Sequence, residues 1–192
     1  MKHLNQHKFI LASGSPRRQQ FLKDLNIPFE IRLKAIEENF PDTLYKEEIP
    51  EYLAKLKANA YDDLASNEIL ITGDTIVWHN EKALNKAEDK QEAFDMISSL
   101  QNSWHHVISA FCLKTNDRLV VKSEVTKVFF DTLDDKDIWY YVNNYKPFDK
   151  AGAYGIQEWI GQIGISKIKG SYFNVMGFPT HLFYQTLKEF IR

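Results

Sequence analysis

A single cysteine, Cys112, stands in the 192 residues, so no internal disulfide framework can staple the chain and no cysteine–histidine cluster with zinc spacing is available. Its stability must come from a hydrophobic core, and a reducing compartment is expected. Long apolar runs are missing too. The opening stretch MKHLNQHKFILASGS has only a few consecutive apolar residues, too few for a secretory signal core, and no later segment is long enough to span a bilayer. These absences predict a soluble, cytoplasmic protein with no membrane partner. Nor does one sign of charge dominate: 24 basic against 26 acidic residues leave a net charge of −2. That gives no general attraction to nucleic acid, which is not expected as a partner, and any anion site must be local. Gly/Ser-rich linkers, low-complexity tracts and internal repeats are absent as well, which argues for one domain over residues 1–192.

What is present suffices for a full core, with 44% hydrophobic and 14% aromatic residues. Strand-like and helix-like patterns alternate with short connections, which predicts a mixed α/β fold. Ile10 to Leu22 reads as a short strand, a small-residue turn, and a helix with Ser15 as N-cap and Pro16 at its first position. Pro28 to Ile36 alternates like a strand. A helix is expected from about Glu47, with Leu53, Leu56, Ala60, Tyr61 and Leu64 as its apolar stripe. Glu68 to Trp78 reads as a buried strand that turns at HNEK. Glu88 to Leu100 is helical, with Glu88 and Asp89 in the first turn. Strands on either side of Asn116 and Asp117 make a hairpin, Asp134 to Tyr145 a short helix, and a last helix after Thr180 has Phe183, Leu187, Phe190 and Ile191 on one face.

Three features run against this pattern, and such places are where function concentrates. Arg17 and Arg18 sit in the first turn of a helix, where the partial positive charge favours acids. Either both extend into water, or turn amides, helix N-terminus and guanidinium groups together hold an anion. The terminal Gly-Lys-Ser/Thr of a Walker loop is missing. The second feature is Asp74, between Ile71 and Ile76 in a segment fit for burial. An unpaired buried carboxylate costs several kcal/mol, so Asp74 is either bonded to backbone amides at a strand end or is a metal ligand or general base. Glu37 and Glu38 offer further oxygens for a hard cation such as Mg²⁺, although adjacent loop acids are also simply solvated in many proteins. The third is Lys57, on the inward half of its helix beside Leu53 and Leu56, with Lys86 following the hairpin after Asp74. A lysine can snorkel from such a place, but two lysines, two arginines and several acids are also the equipment of phosphoryl transfer.

The blocks LASGSPRR, AIEENFP, YLAKLKANA, TGDTIVW with LNKAED after it, DKAGAYGIQ and KGSYFNVMGFP occur in the order and at the spacing of the Maf proteins. Over nearly its whole length the chain resembles that family of nucleoside triphosphate pyrophosphatases, once named for septum formation. The resemblance implies a fold similar to the inosine-triphosphate pyrophosphatases: a mixed, twisted central sheet flanked by helices, two lobes around a cleft, and in many members a homodimer. It implies hydrolysis of a nucleoside triphosphate to monophosphate and pyrophosphate, dependent on a divalent cation, Mg²⁺ or Mn²⁺, in a house-cleaning role.

Position by position, the resemblance puts Ser13, Ser15, Arg17 and Arg18 in the phosphate loop and a metal-associated acid at Glu37 or Glu38. Lys57 matches the lysine of the family's KA pair, Asp74 the catalytic aspartate, as base or metal ligand, and Lys86 the lysine of GKP. Gln157 matches the glutamine of the branch acting on dTTP and UTP, where relatives with glutamate act on 7-methyl-GTP. The chain departs from the pattern in three places: GKP is NKA, the SGR or SGQ ahead of His105 is QNS, and Glu158 replaces the glycine after the glutamine. A nucleotide-binding regulator of cell division with little turnover is the rival reading, against which Asp74 and both lysines argue. A phosphomonoesterase would need an aspartyl or histidine nucleophile motif, which the sequence lacks.

Overall fold

Apolar runs bounded by turn residues become strands, and the amphipathic runs between them become helices, in the computed structural model, which describes residues 6–192. In chain order the elements are β1 (Lys8–Leu11), α1 (Pro16–Asp24), β2 (Phe29–Ile31), α2 (Glu48–Asn59), β3 (Glu68–His79), β4 (Lys82–Leu84) and α3 (Lys90–Leu100). Then follow β5 (Ser103–Lys114), β6 (Leu119–Phe130), α4 (Asp135–Tyr145), α5 (Trp159–Gly164), β7 (Ile165–Lys169), α6 (Tyr172–Val175) and α7 (Thr180–Phe190). The strands form one seven-stranded sheet in the order β2-β1-β3-β5-β6-β7, with β4 paired to β3. It is mixed: β1 runs parallel to β2 and β3, whereas β3–β4 and β6–β7 are antiparallel.

Contacts divide the chain into two units, each with its own core, and β3, β5 and β6 contribute residues to both. The first comprises the chain up to Asp74, Ser109–Glu124 and Gly177–Arg192. Ile10 and Leu70, paired across the β1–β3 register, pack with Ala110 and Cys112 against Ala54, Ala58 and Tyr61. Phe111, between Ala110 and Cys112, faces the other way, as strand alternation requires. There it meets Phe178 and Phe183, whose rings lie 4.8 Å apart. The second unit comprises Thr75–Ile108 and Val125–Met176, with Val77, Leu84, Ile97, Val107, Val128 and Phe130 among its core residues.

The expected turns form where their residues dictate, and one cap forms at an acid expected in the first turn. Asn80 and Glu81, at φ 48° and 58°, make the left-handed two-residue turn that favours hairpins. Thr115 N–H bonds to the Arg118 carbonyl at 2.8 Å around the Asn116–Asp117 turn. Asp89 caps α3 by accepting from Glu92 N–H at 2.8 Å, so it precedes the first turn.

Other expectations are revised. β2 ends at Ile31, well short of Ile36, because its parallel partner β1 stops at Leu11, opposite Ile31. Arg32 N–H still reaches the Leu11 carbonyl at 3.1 Å, and Leu33 is exposed. In α2 the buried residues are Ile49, Pro50, Leu53, Ala54 and Ala58, with Leu56 and the capping Ala60 only half-buried. Thr72 Oγ1 donates to the Ala54 carbonyl at 2.6 Å, an approach of helix to strand that leaves room only for small side chains. Tyr61 and Leu64 are buried from beyond the helix end. The short elements α5, β7 and α6 occupy a stretch that carries no helical or alternating signal strong enough to predict them.

Candidate active site

β1 is followed by a loop of small residues because the chain must turn sharply into α1. Ser15 takes the N-cap position, with extended backbone at φ −65° and ψ 117°, and Pro16 follows at the helix start. The expected side-chain cap does not form; instead Ser15 N–H donates to Ser13 Oγ at 3.3 Å. Ser13 Oγ also accepts from Arg18 Nη1 at 3.4 Å. Arg18 reaches much further along the chain: Nη1 donates to the Gly73 carbonyl at 2.8 Å and Nε to the Gly177 carbonyl at 3.2 Å. Its planar guanidinium thus brackets the Ser13–Ser15 loop, the β3 residue before Asp74 and the turn ahead of α7. Gly73 has no alternative at this point, since a Cβ there would lie 2.7 Å from the Ala110 carbonyl oxygen.

Burial pulls the Arg18 guanidinium below its usual range, opposed by Asp74, reinforced by the charge of Arg17 and opposed again by Glu38. It remains a cation at any physiological pH. Asp74, Arg17 and Glu38 are therefore all near enough for their charges to act on Arg18. At the centre is Lys57, on the last turn of α2. Its Nζ lies 2.8 Å from Asp74 Oδ1 and 3.0 Å from Glu38 Oε2. The Lys57 and Asp74 side chains are 13% and 12% exposed, whereas Glu38 is 47% exposed. The two adjacent acids differ in their surroundings: Glu38 turns to Lys57, while the exposed Glu37 accepts from Asn39 Nδ2 at 3.5 Å.

Asp74 and Glu38 flank one ammonium and offer the hard oxygens that Mg²⁺ or Mn²⁺ take. Among the described residues no three or more His, Cys, Asp or Glu side chains form a group that would hold a metal ion by themselves. Two carboxylates fit a cation that completes its shell with phosphate oxygens and water, which is how Mg²⁺ is usually held.

Lys86 and Gln157 belong to the second unit. Lys86 is exposed and forms an isolated antiparallel bridge with Ala151, while Gly152 N–H donates to the Leu84 and Asn85 carbonyls at 3.2 and 3.1 Å. The segment that leads to Gln157 is therefore anchored beside Lys86. Its backbone is tight: Gly152 and Ala153 both have positive φ, 68° and 56°, and a Cβ on Gly152 would lie 2.9 Å from Val77 Cγ2. Tyr154 is pinned by a 2.7 Å hydrogen bond between its hydroxyl and His105 Nε2. Burial, and then the neighbouring His79 and His106, push the His105 imidazole down to about 3, so the ring is neutral. The burial of His105 and its tie to Tyr154, 49 residues away, have no local signal in the sequence.

A sequence model described as Maf-like protein matches residues 8–190. The chain belongs to the Maf family. A dTTP/UTP pyrophosphatase of Flavobacterium johnsoniae is 54% identical to this Maf-like chain over 98% of it and 97% of the relative. One of Flavobacterium psychrophilum is 55% identical over 95% and 94% of the two chains. Among solved structures, a HAM1 protein from Coxiella burnetii matches with a TM-score of 0.51 at 12% identity, covering 95% of this chain and 99% of that one. At that identity the likeness concerns the fold alone, and it agrees with the mixed α/β sheet flanked by helices. No helix among the described residues of the Maf-like chain is long and apolar enough to cross a membrane.

Proposed function

We propose that this protein hydrolyses dTTP and UTP to the nucleoside monophosphate and pyrophosphate. The observation that carries the reading is the gathering of Asp74, Lys57 and Glu38 beside Arg18 and the Ser13 loop, in a chain that matches dTTP/UTP pyrophosphatases over nearly its whole length. Lys57, Arg17 and the start of α1 supply positive charge for a triphosphate, and Ser13 and Ser15 supply hydroxyls. Arg18 contributes its charge while holding the loop in shape through Gly73 and Gly177. A divalent cation held by Asp74 and Glu38 would offset the remaining phosphate charge. Asp74 orients water for attack on the α-phosphorus and accepts its proton; the new bond is oxygen to α-phosphorus, and the bond to the α–β bridging oxygen breaks to release pyrophosphate. Lys86 steadies the leaving group.

Gln157 is assigned to the base. Uracil and thymine present a carbonyl acceptor beside an N3–H donor, and a glutamine amide offers the matching pair from one side chain. A carboxylate there would face the O4 carbonyl and leave it unpaired, a loss of about 1–3 kcal/mol. The test is kcat/KM for UTP, dTTP, CTP and GTP with wild type and Gln157→Glu, together with identification of the phosphorus product. We expect pyrophosphate, a preference for UTP and dTTP, and a fall for UTP in the variant of about 5- to 150-fold. Orthophosphate as product would overturn the reading. Tight nucleotide binding with no release would favour the cell-division regulator, and unchanged ratios would remove Gln157 from base recognition. A cytoplasmic homodimer goes with this reading, its mass open to light scattering.

A further inference from the structure

We propose that Glu158 is a positioning residue for base recognition, fixing the orientation of Gln157 through Tyr141 and Lys150. The inference rests on the assignment of Gln157 to the base and concerns what holds that side chain's backbone in place. Glu158 occupies the N-cap position of α5, at φ −95° and ψ 176°, yet its carboxylate makes no cap bond to its own helix. It turns back instead. Oε2 accepts from the Tyr141 hydroxyl, and Oε1 lies 3.1 Å from Lys150 Nζ, whose side chain is 10% exposed. Asp149 holds the same ammonium at 2.6 Å.

Tyr141 bridges the two sides of the turn. Its oxygen accepts from Gly155 N–H at 3.0 Å while its proton goes to Glu158. Burial, and then Glu158, push the phenol above its usual range, so it stays a donor. The Glu158 backbone is fixed as well: its N–H donates to the Gly155 carbonyl at 3.0 Å, and its carbonyl accepts from Gly161 and Gln162 N–H at 3.0 and 3.3 Å. Close packing completes the frame. A Cβ on Gly155 would lie 2.8 Å from the Glu158 carboxyl carbon, and one on Gly161 would lie 2.0 Å from the Ile156 carbonyl oxygen. Gln157 thus stands between a buried Ile156 and a Glu158 tied by side chain and main chain. An amide that must present a donor and an acceptor in fixed directions needs such a frame, because an ångström of drift costs about a hundredfold in a positioned contact.

Competitive inhibition separates this role from a general structural one, because uridine monophosphate needs the base contact and inorganic pyrophosphate does not. With Glu158→Ala and Tyr141→Phe we expect the inhibition constant for uridine monophosphate to rise about tenfold while that for pyrophosphate stays within about twofold. KM for UTP should rise more than kcat falls, and UTP over CTP selectivity should shrink. Glu158→Gln, which keeps an acceptor for Tyr141 and only loses the charge facing Lys150, should recover most of the effect. Equal weakening of both inhibitors, a lower Tm with every constant unchanged, or no change at all would overturn the inference. Should the wild type release no pyrophosphate from UTP or dTTP, the proposed function fails by itself. Calorimetric binding of uridine monophosphate to the same variants then decides the role of Glu158, and absence of that binding to wild type overturns it too.

Discussion

Lys57→Met removes the ammonium that separates Asp74 from Glu38. The two contacts differ in weight. Lys57 and Asp74 are both nearly enclosed, at 13% and 12% exposure, and 2.8 Å apart, whereas the Glu38 carboxylate is 47% exposed and largely screened. At an effective dielectric of about 20 a contact pair is worth roughly 4 kcal/mol, and desolvation of both partners reduces the net coupling to about 1–3 kcal/mol. Breaking one side of a fully buried pair costs about 3–5 kcal/mol; with part of the site open to water we expect about 2–3 kcal/mol for Lys57→Met. For a chain of this length that is a fall in Tm of roughly 4–12 °C. Asp74→Asn in the same chain removes the stranded charge, so the double variant should regain at least half of the lost stability. Turnover should not recover, because the proposed function has both groups act on the reacting phosphate: each single variant and the double should lose about a hundredfold or more. Urea and thermal denaturation together with pyrophosphate release on the four proteins measure both effects. Additive stability losses, or a Tm for Lys57→Met within a degree of wild type, would refute the ion-pair argument; a folded Asp74→Asn with more than a tenth of wild-type turnover would refute the catalytic one.

Two further outcomes are expected. Arg18→Lys keeps the charge but loses the fork that joins Gly73 and Gly177, so it should be destabilised by about 2 kcal/mol; a urea midpoint equal to that of wild type would dismiss the bracket. The Arg32 guanidinium, bonded at 3.1 and 2.7 Å, and the Ala65 N–H hold the Glu68 carboxyl down to about 2, below its unfolded value of 4.5. A depressed folded pKa stabilises fully above the unfolded value and is lost as pH falls through the folded one. The stability gap between wild type and Glu68→Gln should therefore close between about pH 4.5 and 2, and a gap constant over that window in urea titrations would contradict the assignment.

Local chemistry was enough for much of this architecture. Asn80 and Glu81, Asn116 and Asp117, and Asp89 with Glu92 form turns and a cap whose energetics are settled within a few residues, so sequence determined them. The long apolar strands and the buried face of α7 follow from periodicity in the same way. The acids, lysines and arginines of the candidate site were legible as charges out of place, because a charge in an apolar pattern needs a partner whatever the fold. Which partner was not legible. Arg18 bonds carbonyls 55 and 159 positions away, and Lys57 meets an acid 17 positions on, distances over which only the path of the sheet brings atoms together. The sequence left Glu37 and Glu38 equivalent; the course of the chain after β2 turned one toward Lys57 and the other to Asn39. β2 itself stopped where its neighbour stopped, a boundary set by a second strand's length and so invisible in its own residues. Glu158 shows the same division: the sequence marks it as an unusual acid, and only the fold turns its carboxylate from its own helix to Tyr141 and Lys150, since side-chain direction depends on which buried partners are within reach.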